Sequence, residues 1–569
     1  MKVPYKVYKD LDEVFNKNLF DVSKPLFSDT ETCGLYGRVR LLQLYQKDLP
    51  EVIMIEWPEP VEMAMWLNRF HSVWHNEHYD NSTIQQQTNS RWIPKEFDDT
   101  FLLARIVDYK EEKFALDDCL ERQLGYCPYT KQGLDKKVLQ KSKWDALQLT
   151  EEQYRYAATD VYFMPDLWDH VESAREDFNY KLDLLTLKYC LDFQWNGMQV
   201  DKDNLHARYE ENLKRIDELN VPINVNSYKQ VREYLGGITE SDALALTTMK
   251  LKGSEKAGAV LETRKLRKEL SFLDKFDTTE GRIYGKFQPS ARSGRLTSKD
   301  QNLQQIPRKL KSIFCSAPGR VLWYSDYAQI ELRSICAITA CRAMEKLFRD
   351  GADVHNYTAE MLFGKDFTKE QRQLCKTYNF SLLYGGGINM LMTILIKQEV
   401  LIDEKQAVKD RKKWRNLWKE IYAWQEAGIA AWRKGRHNQT PLGRKYKAKL
   451  MTDFLNIQNQ GCAADVFKLA LHYMTPRIKD YNEQHALVGE EISICNGIHD
   501  SFIIEGPDDY KHYEPISQII AESMQEAWKE VSKALKIKDL PMPVDVKVGY
   551  NWGEIEEDQN VQFAYNLEG

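Results

Sequence analysis

Asp326 and Asp500 lie far apart in the chain, yet each belongs to a short apolar run that reads as a β-strand. Val321-Leu322-Trp323-Tyr324-Ser325 precedes the first, and Ile498-His499-Asp500-Ser501-Phe502-Ile503-Ile504 surrounds the second. Between them Arg372, Lys376, Phe380 and Tyr384 recur every four residues. At ~100° per residue each such step moves only ~40° around a helix, so the four side chains form one slanted stripe. A fold that delivers two strand-borne carboxylates to a cationic helix is tightly constrained. Carboxylates from separate strands hold divalent ions and the helix cations receive a triphosphate, which is what nucleotidyl transfer requires. A stripe of Arg, Lys, Phe and Tyr also suits an ordinary amphipathic surface helix; the abrupt end at Gly385-Gly386-Gly387 sets this one apart.

A chain of 569 residues exceeds what one hydrophobic core organises, so two or more domains are expected. Up to about residue 180 strand-like runs at 2–8, 25–29, 41–45 and 52–56 precede a helical stretch at 149–171, the pattern of an α/β domain. From 182 to about 276 the chain reads as helical and highly charged, with Asn224-Val225-Asn226-Ser227 supplying a loop and a helix cap. Short strands follow residue 282, then long helices to about 479 and a hairpin at 492–505, an α+β pattern. The expected domains are 1–180 and 181–569. Residues 76–90 form the one long polar, loop-like stretch.

Net charge is −6, from 79 basic and 85 acidic residues, which disfavours a protein that coats nucleic acid with positive charge. Basic residues nevertheless gather at 264–268, 292–311, 411–415 and 433–449. Each cluster alone reads equally as a solvated helix face. The ten cysteines show no Cys-x-x-Cys spacing and are too dilute for a disulfide scaffold, so a reducing setting is expected. No signal peptide and no apolar run of about 18 residues is present, and the expectation is a soluble, cytoplasmic protein, in the host cytoplasm if the source is viral, with no membrane partner.

In Phe27-Ser28-Asp29-Thr30-Glu31-Thr32, the two acids are two apart on a strand and point to one face, where they can share a metal. Tyr156 and Asp160 are four apart on a helix, which places a phenol beside a carboxylate. Asp80, in His75-Asn76-Glu77-His78-Tyr79-Asp80, is a fourth acidic candidate. The ordered set resembles the four-carboxylate, tyrosine-containing 3'-5' exonucleases fused to proofreading DNA polymerases. That resemblance implies a ribonuclease-H-like domain in which Asp29, Glu31, Asp80 and Asp160 bind two divalent ions and Tyr156 orients the attacking water. A rival reading makes His71, His75 and His78 a zinc cluster, because spacings of four and three share a helical face.

Asp326-Tyr327-Ala328-Gln329-Ile330-Glu331-Leu332-Arg333 resembles the first polymerase motif of family A DNA polymerases, with alanine where serine is common. The resemblance implies a right-hand polymerase domain of palm, fingers and thumb, with the thumb at about 201–282, palm at about 283–345 and 440–569, and fingers at about 346–439. It places Asp326, Tyr327 and Asp500 on metal, and Tyr327, Gln329 and Glu331 on the nucleotide, with Glu331 closing the space a ribose 2'-hydroxyl would fill. The segment 372–385 resembles the fingers motif. Arg372 and Lys376 would clamp the triphosphate with His355, Phe380 would stack on the base, and Tyr384 would lie near the templating position. Family members with tyrosine in place of Phe380 accept chain terminators readily. Ile498-His499-Asp500-Ser501 resembles the third motif, although glutamate is common where Ser501 stands, and it puts the bend at His499-Asp500. Asn496-Gly497 is the stronger hairpin signal taken alone. Arg295, Asn456, Gln460 and His499 match positions that contact the primer-template, while Thr452 stands where an arginine is common. Minor-groove acceptors are shared by all correct pairs, so such residues test pair geometry without reading sequence.

The resemblance spans residues 29 to 553 and implies a template-directed DNA polymerase with proofreading. It would use two Mg2+ per site, with Mn2+ as a substitute, and bind primer-template DNA and deoxynucleoside triphosphates. A monomer is expected, in bacteriophage-like replication, with no 5' nuclease domain and with a helicase-primase or single-strand-binding protein as a compatible partner. Other readings are a stand-alone exonuclease with a degenerate polymerase-like module, a non-catalytic scaffold, or a single-subunit RNA polymerase. Intact Asp326, Lys376 and Asp500 oppose the first two, and Glu331 opposes the third.

Overall fold

The computed structural model describes residues 2–276 and 279–568. Met1, Asp277, Thr278 and Gly569 lie outside them, the middle pair within the segment that the sequence assigns to a thumb. The chain divides into two compact units. One comprises 1–195 with 287–290 and 443–447, the other 196–286, 291–442 and 448–569. All ten cysteines are free. Among the described residues no helix is long and apolar enough to cross a membrane.

The first unit is built on a mixed six-stranded sheet, β1 (Tyr5–Tyr8), β2 (Leu26–Thr32), β3 (Val39–Tyr45), β4 (Val52–Glu56), β5 (His71–Trp74) and β6 (Glu96–Asp99), in the order β1-β4-β3-β2-β5-β6. β3 is antiparallel to both of its neighbours, and the other pairings are parallel. Its Val-Arg-Leu-Leu-Gln-Leu-Tyr run is buried throughout, so this strand carries the core. β2 alternates instead, with Ser28 and Thr30 buried and Asp29 and Glu31 half-buried. That alternation opens one edge of an apolar interior to a polar site. Helix α1 spans His78–Thr88 and α2 spans Glu151–Tyr162. α2 starts at a capping box, Thr150 with Gln153, and packs across β1 to β4.

Residues 76–90 are therefore mostly helix rather than loop. The sequence pattern misleads because the buried face of α1 is itself polar: Asp80, Asn81, Ser82, Thr83 and Gln85. Partners elsewhere in the unit replace apolar packing. His78 meets Gln194 at 2.9 Å, Gln194 donates to Ser82 at 2.8 Å, and Asp80 meets Thr30.

In the second unit five antiparallel strands form the sheet: β7 (Arg320–Tyr327), β8 (Ser493–Ile498), β9 (Ser501–Pro507), β10 (Val544–Gly549) and β11 (Phe563–Leu567), ordered β8-β9-β7-β10-β11. Five helices concern the site: α3 (Ile330–Thr339), α4 (Val354–Phe363), α5 (Lys369–Leu383), α6 (Met451–Gln484) and α7 (Tyr513–Ser532). α7 backs the sheet through β7, β10 and β11. The helices Tyr228–Tyr234, Ala243–Leu251 and Glu255–Leu273 enclose a small core of Val225, Val231, Leu246, Ala257 and Val260, and the helix Lys202–Leu219 packs on Glu255–Leu273. Ser227 caps Tyr228–Tyr234 by accepting from Gln230 N, as its sequence position suggests.

The turn between β8 and β9 falls at His499-Asp500, with His499 left-handed at φ 57°. Gly497 lies inside β8. A Cβ there would approach the Phe467 ring to 2.6 Å, so this glycine serves close packing, and its pairing with asparagine is not a turn.

Candidate active sites

In the first unit, β2 and α2 bring Asp29, Glu31 and Asp160 together, with ligand oxygens all within 4.8 Å of one another. Asp80, on α1, stands outside that trio. It accepts from Thr30 N at 3.0 Å and Thr30 Oγ1 at 2.6 Å, yet its charge is felt at both Asp29 and Glu31. Tyr129 donates to Asp160, and its ring lies 5.8 Å from that of Tyr156, whose hydroxyl also draws the Asp160 carboxyl downward. Burial first, then the neighbouring carboxylates, pushes Asp29 and Glu31 well above the usual carboxylate range. Burial raises Asp80 to about 7, against the Thr30 hydrogen bonds, and Asp160 to about 6, against Lys136 and the two tyrosines. Lys136 is itself paired with Asp117 at 2.6 Å. Four carboxylates, two buried and two half-buried, with so little compensating charge fit a hard divalent cation, since all the donors are oxygens.

The three histidines form no cluster. His71 sits on β5, where strand geometry replaces the helical spacing, and pairs with Asp98 at 2.7 Å. His75 meets Thr100 and the Phe114 carbonyl, each at 2.9 Å, and His78 meets Gln194. Each imidazole has its own partners, and the zinc reading falls.

In the second unit, Asp326 is the penultimate residue of β7, and the β7-β9 register pairs Ser325 with Phe502. The next step sets Asp326 opposite the start of β9, beside Asp500 in the turn. Burial and the charge of Asp500 raise Asp326 well above the usual range; burial raises Asp500 to about 6, opposed by Arg295 and reinforced by Glu331. The two carboxylates thus face one space. Asp545, paired across β10, adds a third charge near Asp326. Ser501 spends its hydroxyl on the Ile498 carbonyl at 3.0 Å, closing the turn. Tyr327 buries its ring and donates to the Met524 carbonyl at 2.8 Å. Gln329 joins β7 to α3 in a left-handed conformation, φ 57°, with its Oε1 buried and without a hydrogen-bond partner among the described residues.

Glu331, in the first turn of α3, is held at both oxygens, by Arg295 at 2.8 Å and by the Tyr384 hydroxyl at 3.1 Å. The expected stripe is shorter than its spacing suggests, because α5 ends at Leu383 and Tyr384 is its cap. Arg372 bonds Asn356 at 2.6 Å and Asp353 at 2.8 Å, and Lys376 is exposed. His355, on α4, is buried against Asn379 at 3.0 Å, and its ring lies 5.8 Å from Phe380. Burial, with help from Lys376 and Arg372, lowers it to about 4, so it is neutral. Asn456 and Gln460 lie on α6, with Asn456 Oδ1 buried and without a partner among the described residues. Tyr129, Thr30, Lys136 and Asn459 were not foreseen. Each acts through contacts with residues remote in sequence, which leave no periodic trace.

Residues 196–554 match the family model described as DNA polymerase family A, and residues 12–174 match that of a 3'-5' exonuclease. DNA polymerase I of Aquifex aeolicus is 28% identical over 585 residues, which cover 93% of this chain and 95% of that protein. The thermostable DNA polymerase I of Thermus filiformis is 29% identical over 300 residues, 49% of this chain and 33% of that one. This chain thus matches nearly the whole Aquifex protein and a third of the Thermus one. Among solved structures, the POL domain of Pol1 from M. smegmatis, in complex with DNA primer-template and dNTP, shares the fold. Its TM-score is 0.75 at 20% identity, covering 96% of this chain and 98% of that one. The chain therefore belongs to DNA polymerase family A, and it carries a 3'-5' exonuclease domain ahead of the polymerase region.

Proposed function

We propose that the second unit extends a primer 3'-hydroxyl with deoxynucleotides on a DNA template, and that the first trims mispaired ends at its own carboxylate cluster. The observation that carries this reading is the convergence of Asp326, near the end of β7, and Asp500, in the β8-β9 turn, on one half-buried and strongly anionic space. A stand-alone exonuclease would have no use for that pair. The metal is magnesium, with manganese as a substitute. Divalent ions held by these carboxylates supply Lewis-acid polarisation of phosphoryl oxygens and lower the pKa of an attacking hydroxyl or water.

The chain's own residues do the rest. Lys376 and Arg372 receive the triphosphate, Arg372 exchanging its Asp353 and Asn356 contacts for phosphate oxygens. Neutral His355 donates to the same phosphates while Phe380 stacks on the base. Tyr327 offers its carbonyl to metal, and Gln329 offers its unpaired Oε1 to the nucleotide. Glu331, fixed at both oxygens, excludes a ribose 2'-hydroxyl. Arg295, Asn456, Gln460 and His499 contact the primer-template, the ligand bound in the mycobacterial structure of the same fold. At the other centre Asp29, Glu31, Asp80 and Asp160 take metal, and Tyr156 orients the attacking water. The thumb, palm and fingers follow the boundaries expected from sequence. The protein acts as a monomer in DNA replication in the cytoplasm, alongside a helicase-primase or single-strand-binding protein.

The test is elongation and trimming of a labelled primer-template with magnesium, with and without nucleotides. Asp326→Ala or Asp500→Ala should abolish extension and spare trimming, and Asp29→Ala with Glu31→Ala should do the reverse. Equal loss of both activities in folded protein refutes two independent centres.

A further inference from the structure

Asn459 is fully buried on α6 and makes three hydrogen bonds, each of which leads to the Glu331 carboxylate or its helix. Ser334 Oγ, on α3, donates to Asn459 Oδ1 at 2.6 Å, and the Glu331 carbonyl, which can only accept, fixes the orientation of the amide. Asn459 Nδ2 then donates to the Glu331 carbonyl at 2.9 Å and to the Tyr384 hydroxyl at 2.9 Å. A phenol carries one proton. Because Tyr384 accepts from Asn459, that proton is directed at Glu331 Oε2, 3.1 Å away. Arg295 holds the other oxygen.

We propose that Asn459 is a positioning residue for sugar selection, which aims the Tyr384 hydroxyl at Glu331 and ties α6 to the first turn of α3. The proposal rests on the reading of Glu331 as the group that excludes a 2'-hydroxyl. A buried amide is costly unless its hydrogen bonds are made, and an apolar side chain of similar volume would fill the site at less risk. Asn456 and Gln460 lie on the same helix, so the helix assigned to testing the terminal base pair also braces the sugar gate.

The experiment measures kcat and KM for one deoxynucleotide and the matching ribonucleotide by primer extension, in the full chain and in Asn459→Leu, Tyr384→Phe, the double variant, Ser334→Ala and Glu331→Ala. Misaiming the Tyr384 hydrogen bond to the Glu331 carboxylate corresponds to about a tenfold fall in discrimination for Asn459→Leu, entering through a lower KM for the ribonucleotide. Ser334→Ala should shift the ratio in the same direction by less, and it carries the test if Asn459→Leu does not fold. In the Tyr384→Phe background, Asn459→Leu should add less than about twofold, because the shared route is already cut. An unchanged ratio in Asn459→Leu and Ser334→Ala, with Glu331→Ala still admitting ribonucleotides, overturns the role of Asn459 alone. Fully multiplicative effects in the double variant do the same. An unchanged ratio in Glu331→Ala overturns the gate reading and this proposal with it.

Discussion

Replacing Asp500 by asparagine should stabilise the metal-free polymerase unit at alkaline pH while abolishing primer extension. Burial raises this carboxyl from 3.8 to about 6. The folded state thus keeps a proton that the unfolded chain has already released. Stability from this group is fully present below about pH 4 and is lost as pH rises through 6. At about 1.4 kcal/mol per unit, the ionised folded form carries a penalty of about 3 kcal/mol at pH 8. An amide of the same shape has nothing to ionise. Unfolding entropy near 2.1 cal/mol/K per residue over about 365 residues converts this into a gain of about 4 °C in Tm. Calorimetry of the polymerase transition in chelator, at pH 8 and pH 5, measures it; at pH 5 the gain should fall to about half. Divalent ions should raise the Tm of the parent more than that of Asp500→Asn. An Asp500→Asn protein no more stable than its parent at pH 8, or one whose gain ignores pH, refutes the burial and repulsion argument.

Tyr129→Phe removes a hydrogen bond that lowers the Asp160 pKa, so the acid limb of trimming should move to higher pH; an unshifted pH-rate profile counts against that contact. Gly497→Ala sets a methyl group 2.6 Å from Phe467, which is stacked on Phe502 at 4.4 Å. A cost of about 1–3 kcal/mol is expected from such overpacking, seen as a lower Tm with weaker extension and unaltered trimming. Phe380→Tyr should make the protein sensitive to dideoxynucleotides in extension assays, and equal sensitivity of parent and variant would reject the base-stacking assignment.

The acids were legible because their chemistry demands fixed residue types at fixed periods. Asp29 and Glu31 share a strand face, Tyr156 and Asp160 share a helix face, and Asp326 closes an apolar strand. Where stability comes from tertiary polar contacts, the same reasoning fails. α1 shows little apolar periodicity because its buried face is polar, with Asp80, His78 and Ser82 bonded to Thr30 and Gln194, both remote in sequence. β5 and β6 are four residues each and contain His71, Glu96 and two aspartates, which mask them as strands. Tyr384 fell on a helical spacing but caps the helix instead, and only its contact with Glu331 reveals why a hydroxyl is needed there.

Gln329 is the sole link between the end of the strand bearing Asp326 and the helix bearing Glu331, apart from Ala328 beside it, and it adopts a conformation that non-glycine residues rarely take. So short and stiff a joint would weld the ion binding proposed for Asp326 to the sugar discrimination proposed for Glu331. Engineering that enlarges the space over the nucleotide by shifting α3 bodily would drag the carboxylate of Asp326 with it. Relaxed substrates are therefore better sought by trimming the Glu331 side chain in place, leaving this joint alone.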